Sequence, residues 1–353
     1  MRRQDAAADQ TVVLYTSQQM AEQVGLSVDT IRRMDKRGEF RPSHATPGGQ
    51  RRYTEDDVMR FLETRRRATG GSRCRAISFI NVKGGVGKTT LCITLAGALA
   101  QKGYHVLVVD VDPQANATQG LGLDPYDLPQ TMAQVMLPEG ERDKIAIADV
   151  IRPLPDLHPH LFLAPGHLDL ARADQLLTLH RVQRELVLDE ALRDVIGEYD
   201  FIFIDSPPTL SNLLSNAMCA SDGIIIPIDA QYALRGVEML DQERRICDKV
   251  SPHAVTLLGA VLNKQMLATN LHTSVRRETQ LLFDGNVFET IIPYRTEIEK
   301  SPGYRPVVFG ASSVAGPYYS LAAELLRRLS AASDPAGAHT TVEVDGAMTL
   351  VRS

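Results

Sequence analysis

The chain of 353 residues is 44% hydrophobic and 23% charged, ordinary proportions for two or three soluble domains with full cores. It has no run of 18 apolar residues and no signal-peptide core at its start, which argues against a transmembrane helix and a secretory leader. The net charge of −5 hides an asymmetry: residues 1–75 carry 15 Lys+Arg against 10 Asp+Glu, and the remainder carry 23 against 33. A basic front on an acidic body reads either as a nucleic-acid contact or as a solvated basic face.

Residues 1–12 are polar and Ala-rich and are expected to be disordered. A small helical unit follows over 13–67. YTSQQMAEQVGLSVDTIRRMDKRGEF reads as helix, turn, helix. Thr16 caps the first helix, with Gln19 completing a capping box. Met20 and Val24 face a core, and Gly25 supplies the turn. Ser27 caps a second helix that turns Val28 and Ile31 inward and Thr30, Arg32, Arg33 and Lys36 outward. A basic second helix after a tight turn is the pattern of a helix-turn-helix that enters the major groove. HATPGGQRRY then places a Pro-Gly-Gly turn between short extended arms, and Thr54 with Asp57 caps a further helix. Over residues 14–65 this order of helix, helix and wing, with GGQRRYTEDDV, resembles the MerR-type winged helix. The resemblance implies that Thr30, Arg32 and Arg33 read DNA, that Arg51 and Arg52 hold phosphates, and that Tyr53 packs the wing. MerR proteins continue into a coiled coil; this chain continues into a nucleotide site. A protein–protein role for the module is the other reading.

ATGGSR and its neighbours (68–74) form a linker, since paired glycines and small polar residues bury no core. A second domain spans 75–330. AISFINV (76–82), HVLVVDVD (105–112), HLFLAPG (160–166), DFIFIDSPP (200–208), GIIIPID (223–229), TLLGAVLNK (256–264) and VFETIIP (287–293) are apolar strands separated by helical stretches. Continuous apolar runs of this kind are buried on both faces, so the fold class is α/β: a doubly wound, mostly parallel sheet with its ligand site at the strands' carboxyl ends. Residues 331–353 are small and polar and read as a flexible tail. Cys74, Cys92, Cys219 and Cys247 show no CxxC pair and no metal-ligand spacing, and are expected as buried reduced thiols of a cytosolic protein.

NVKGGVGKTT (81–90) carries the chemistry. Its glycines, Gly84, Gly85 and Gly87, let backbone N–H groups approach phosphates, and the helix that follows favours their negative charge. With Val86 and Thr90 they form the nucleotide cradle. Lys88 reaches the β- and γ-phosphates, and the Thr89 hydroxyl binds Mg²⁺. The standard pattern wants glycine at position 82; here stand Val82 and a second lysine, Lys83. Acids close two strands: Asp110 and Asp112 in VLVVDVDPQAN, and Asp205 in FIFIDSPP. Asp205 is the candidate on the Mg²⁺ side, Asp112 the candidate that orients the attacking water, and Asp110 either a second metal-shell group or a structural one.

KGGVGKTT, VDVDPQANAT and FIDSPP in this order resemble the deviant Walker A family, which includes ParA partition ATPases, MinD and nitrogenase iron-protein relatives. DPQANAT points to ParA. The resemblance covers residues 75–330. It implies an Mg²⁺-dependent ATPase using ATP and ADP, with Lys83 as a signature lysine that reaches the ATP of a partner subunit. It further implies a nucleotide-dependent homodimer, non-specific DNA binding, a cytoplasmic and nucleoid-associated location, and release on hydrolysis stimulated by a ParB-like partner. By family position, Asn263, Pro293 and Tyr294 border the adenine. Basic residues for DNA are sought in QERRICDK, HTSVRRE and EKSPGYR: Arg244, Arg245, Arg276, Arg277, Lys300 and Arg305, each equally readable as a helix charge paired with a neighbouring acid. The N-terminal module adds operator binding for autoregulation. The alternatives are an ATP-switched transcription regulator and a positioning ATPase for a protein cargo. A MinD-like membrane cycle needs a basic amphipathic C-terminal helix, which SDPAG after Leu329 does not offer.

Overall fold

A computed structural model describes residues 14–24, 28–37, 42, 44–46, 50–54, 57, 75–180, 184–229, 233–251, 254–266, 271–295, 306–309, 314–333, 341–344 and 347–350. Residues 1–12, the linker 68–74, Gly25, Ser27, Cys74, Lys300 and Arg305 lie outside the described residues.

The front is a helix-turn-helix with a wing. Helices α1 (Ser17–Val24) and α2 (Val28–Arg37) are joined by three residues. The capping box forms as expected: the Thr16 N–H donates to Gln19 Oε1 at 2.9 Å and the Gln19 N–H to Thr16 Oγ1 at 3.2 Å. These bonds satisfy donors that a helix start leaves unpaired. Strands β1 (His44–Ala45) and β2 (Arg51–Arg52) pair antiparallel as the wing. Tyr53 exchanges two backbone bonds with Tyr15, tying the wing to the entrance of α1. Met20, Ala21, Ile31 and Tyr53 are the buried core, so Tyr53 packs the wing as read from the sequence. Thr54 and Asp57 cap each other reciprocally.

The larger unit is a seven-stranded sheet. Its strands are β3 (Arg75–Phe79), β4 (Val106–Asp110), β5 (Arg152–Pro153), β6 (Leu161–Ala164), β7 (Phe201–Asp205), β8 (Gly223–Ile228) and β9 (Thr256–Leu262). Their order is β5-β6-β4-β7-β3-β8-β9, all parallel except the edge strand β5. Strands β4, β7 and β8 are buried along their whole length, which is why their sequences are apolar without alternation. One face packs on α3 (Lys88–Ala100) and on the final helix. The short helix α4 (Asn116–Gly120) lies on the same side through Ala117, and the opposite face packs on the short helices α5 (Met132–Val135) and α6 (Ile147–Val150) and on α7 (Leu170–Leu179) and α8 (Val187–Arg193). Around β8 and β9 lie α9 (Asn212–Cys219), α10 (Ala233–Val250) and α11 (Leu271–Leu282). The final helix, α12, is Gly316–Ser333. Among the described residues no helix is long and apolar enough to cross a membrane.

Three expectations need correction. The run 287–293 is not a continuous strand: it makes single parallel bridges at Ala260–Val287 and Gln265–Pro293. Between them the N–H groups of Glu289 and Thr290 donate to the Glu324 carboxylate of α12, at 2.8 and 2.9 Å, so that side chain replaces the sheet partner. Cys219 and Cys247 are not reduced thiols but a disulfide joining α9 to α10; their Cα atoms are 5.1 Å apart on facing helices, within disulfide range. Cys92 is free and buried, as expected. In the tail, β10 (Thr341–Val344) and β11 (Ala347–Leu350) pair as an antiparallel hairpin.

Candidate functional site

The loop 81–87 leaves the carboxyl end of β3, between β7 and β8, and enters α3. Gly85 and Gly87 take left-handed backbone, at φ 79° and 86°, which only glycine adopts without strain. Gly87 is the N-cap of α3 and offers no side chain, so the first-turn N–H groups are not capped by it. Thirteen residues of helix behind open N–H groups make an anion site.

Lys88 is 6% exposed, and its Nζ lies 3.5 Å from the Lys83 carbonyl. Burial pushes its pKa down, while Asp205 and Asp112 oppose that. Asp205, at the end of β7, is wholly buried. Burial drives its carboxyl well above the usual range and Asp110 adds to this, while Thr89 and Lys88 work in the opposite direction. The Thr89 hydroxyl is close enough to ease that cost without forming a well-shaped bond to either oxygen; both Asp205 oxygens stand without a hydrogen-bond partner. A buried carboxylate left in this condition beside a hydroxyl is a donor set that suits a hard divalent cation such as Mg²⁺. Among the described residues no group of three or more His, Cys, Asp or Glu is built to hold a metal.

Asp110 has a different character. Its Oδ2 accepts from the Thr118 N–H at 2.8 Å and the Thr118 hydroxyl at 2.7 Å, and Oδ1 accepts from the Asp112 N–H at 3.2 Å. Thr118 in turn accepts from the Gly166 N–H. These bonds pin the loop that carries Asp112. Burial raises its carboxyl to about 7. Asp112 is 5% exposed; burial raises its pKa, and the Gln114 N–H and Lys88 counter this.

The two lysines of the loop part company. Lys83 Nζ bonds both oxygens of Asp229, at 2.8 and 2.6 Å, just past β8. Asp229 escaped the sequence reading, although it ends GIIIPID as Asp205 ends FIFID. Asn81 was also missed. Its Nδ2 donates to the Pro227 carbonyl at 2.8 Å and its Oδ1 accepts from the Lys83 N–H at 2.9 Å. Asn263, expected beside adenine, turns its Nδ2 to the Val86 carbonyl at 2.7 Å and so clamps the loop. A Cβ on Gly87 would lie 2.4 Å from that nitrogen, so glycine is required there on two counts. The Pro293–Tyr294 turn joins the same corner through the Gln265 backbone.

The basic candidates are dispersed. Arg32 pairs with Asp29 at 3.4 Å and Arg51 with Asp35 at 2.8 Å, while Arg52 bonds the Arg51 carbonyl and Gln50. Arg33 crosses to Glu198 of the larger unit at 3.2 Å, where Ile196 also packs on the helix-turn-helix core. Thr30 lies within α2. Arg244 pairs with Asp241 and Asp248, and Arg245 with Asp241, along α10. Arg276 and Arg277 lie on α11.

Comparison with known proteins places these features. Residues 74–253 match the model of an AAA domain, and residues 14–66 match that of a helix-turn-helix domain. The chain is 34% identical to the sporulation initiation inhibitor protein Soj of Bacillus subtilis, over 71% of this chain and 98% of that one. It is 33% identical to the chromosome partitioning protein ParA of Myxococcus xanthus, over 72% of this chain and 88% of that one. Among solved structures it resembles cobyrinic acid a,c-diamide synthase from Mycobacterium smegmatis with bound ADP and magnesium. That match has a TM-score of 0.63 and 29% identity, and covers 73% of this chain and 96% of that one.

Proposed function

The chain belongs to the ParA/Soj family of P-loop ATPases, and from that premise we propose that ATP switches it between single copies and a face-to-face dimer that holds DNA. The observation that carries the reading is the divergence of the two loop lysines. Lys88 is buried against the phosphate cradle, while Lys83 reaches out of the loop to Asp229. Lys83 is held by Asp229 of its own chain, and in this reading it exchanges that carboxylate for the phosphates of a second subunit's nucleotide when the dimer forms. Phosphoryl transfer is promoted mainly by placed positive charge, so a site completed by a partner's lysine hydrolyses ATP only as a dimer.

In this reading the cradle amides of Gly84 to Thr90 bind the phosphates and Lys88 balances their charge. Thr89 and Asp205 would hold Mg²⁺, which would supply positive charge to offset that of the phosphates. Asp112 accepts a proton-side hydrogen bond from the attacking water and orients it. Pro293 and Tyr294 border the base, with Asn263 beneath the loop. Arg244, Arg245, Arg276, Arg277, Lys300 and Arg305 are the candidates for sequence-independent phosphate contacts, which weaken steeply with salt. The winged module, through Thr30, Arg32, Arg33, Arg51 and Arg52, binds an operator. A ParB-like partner or cargo adaptor stimulates turnover, and the protein works in the cytoplasm on the nucleoid.

The deciding experiment is Lys83→Ala. ATP binding should stay within about threefold of the parent, while ATP-dependent dimerisation and hydrolysis fall at least about tenfold. Normal turnover in this variant would sink the trans-lysine role.

A further inference from the structure

Val82 stands where the standard phosphate loop has glycine. Its half-buried side chain packs with the β8–β9 core, and so does that of Val237. Gly236, in the first turn of α10, lies against it: a Cβ built on Gly236 would sit 3.0 Å from Val82 Cγ2 and 3.7 Å from Asn81 Oδ1. Carbon atoms rest at about 3.5–4.0 Å, so a methyl group there would press on Val82 and shift it by a few tenths of an ångström. The residues on either side of Val82 touch the same stretch of chain. Asn81 bonds the Pro227 carbonyl, and Lys83 bonds Asp229. Three consecutive loop residues are thus fitted to the end of β8, at Pro227 and Asp229, and to Gly236 in the first turn of α10.

We propose that Val82 and Gly236 are positioning residues for Lys83. The bulk at 82 and the bare backbone at 236 together fix the gap between loop and helix, and so fix the point from which Lys83 extends. Asn81 sets the backbone of Lys83 from the other side by accepting its N–H. The departure from glycine at 82 then has a use: a glycine there would leave Gly236 facing a void and the lysine on a slack loop. The proposal rests on the reading of Lys83 as the lysine that serves a partner's ATP. It adds the element that aims it, and it makes α10 the helix through which the loop's position is felt.

The test is a volume exchange in the full-length protein. Gly236→Ala should bind ATP within about threefold of the parent, yet lose ATP-dependent dimerisation at least about tenfold, with kcat reduced and KM little changed. Val82→Ala alone, which removes volume and adds none, should weaken dimerisation about fivefold. The double variant Val82→Ala/Gly236→Ala should return dimerisation to within about threefold of the parent. A role confined to helix stability predicts otherwise, because alanine favours helix over glycine and has no need of a change at 82. Parent-like dimerisation in Gly236→Ala, or a defect that persists in the double variant, overturns the proposal. So does loss of ATP binding in Gly236→Ala. Lys83→Ala, measured alongside, separates the premises: if it dimerises normally the trans-lysine reading fails, and if only Gly236→Ala does, the coupling alone fails.

Discussion

Asn263→Ala probes the clamp on the nucleotide loop. Asn263 is 4% exposed, and its side-chain amide donates to the Val86 carbonyl at 2.7 Å, across 177 residues of sequence. Truncation removes that donor and leaves the carbonyl beside an already buried Val86. An unpaired buried carbonyl costs about 1–3 kcal/mol. The cost can surface in two places. If the free loop stays put, the protein melts about 2–6 °C earlier. If the free loop relaxes, the cost moves to the binding step, and affinity falls about 5- to 150-fold. The two readouts share one energy, so both are needed: thermal melting without ligand, and calorimetric titration with ATP and Mg²⁺. Asn263→Asp keeps the volume but cannot donate and adds a negative charge, so it should be the worse of the two. Tripolyphosphate, which has no base, separates clamp from adenine contact. A clamp loses affinity for ATP and tripolyphosphate by the same factor; a base contact loses it for ATP alone. An alanine variant that melts and binds like the parent would refute the clamp.

Two further predictions concern other parts of the molecule. Glu324, with its side chain 5% exposed, accepts from the Glu289 N–H, the Thr290 N–H and the Thr290 hydroxyl, and pairs with Arg328 at 3.0 Å. Burial works to raise its pKa, but these partners outweigh burial and hold it below the ordinary value of 4.5. A depressed carboxyl contributes stability above its unfolded pKa and loses it as pH falls through the folded one. Glu324→Gln should therefore cost about 1–3 kcal/mol in urea unfolding at pH 7, and the gap from the parent should close toward pH 3; a gap independent of pH would count against the assignment. On the winged module, Arg52→Ala should weaken binding to all DNA sequences alike and lower the salt slope by about one, whereas Arg32→Ala should cost about 1–3 kcal/mol at the specific site only. Equal losses on operator and random duplex for Arg32→Ala would remove it from base reading.

Much of the site was legible because its parts are local. The glycines, Lys88 and Thr89 sit in one decapeptide, and each acid follows a buried strand by rule. The two capping pairs, Thr16 with Gln19 and Thr54 with Asp57, span three residues each and formed as read. The mistakes share the opposite trait. The run 287–293 has the apolar content of a strand, but a carboxylate on α12 takes its amides. Cys219 and Cys247 are 28 residues apart, with nothing in their spacing to suggest a bond.

The sequence by itself determined the fold class, the phosphate cradle and the helix-turn-helix, because hydrophobic period, capping and glycine placement act within a few residues. Tertiary structure decided how each piece is used. It set Lys83 against Asp229 and Asn81 against Pro227, each pair 146 residues apart, and Val82 against a helix glycine. It also separated Asp110, whose oxygens are taken, from Asp205, whose oxygens are not. Such pairings depend on which strand ends the sheet order brings side by side, and no local pattern along the chain encodes that order.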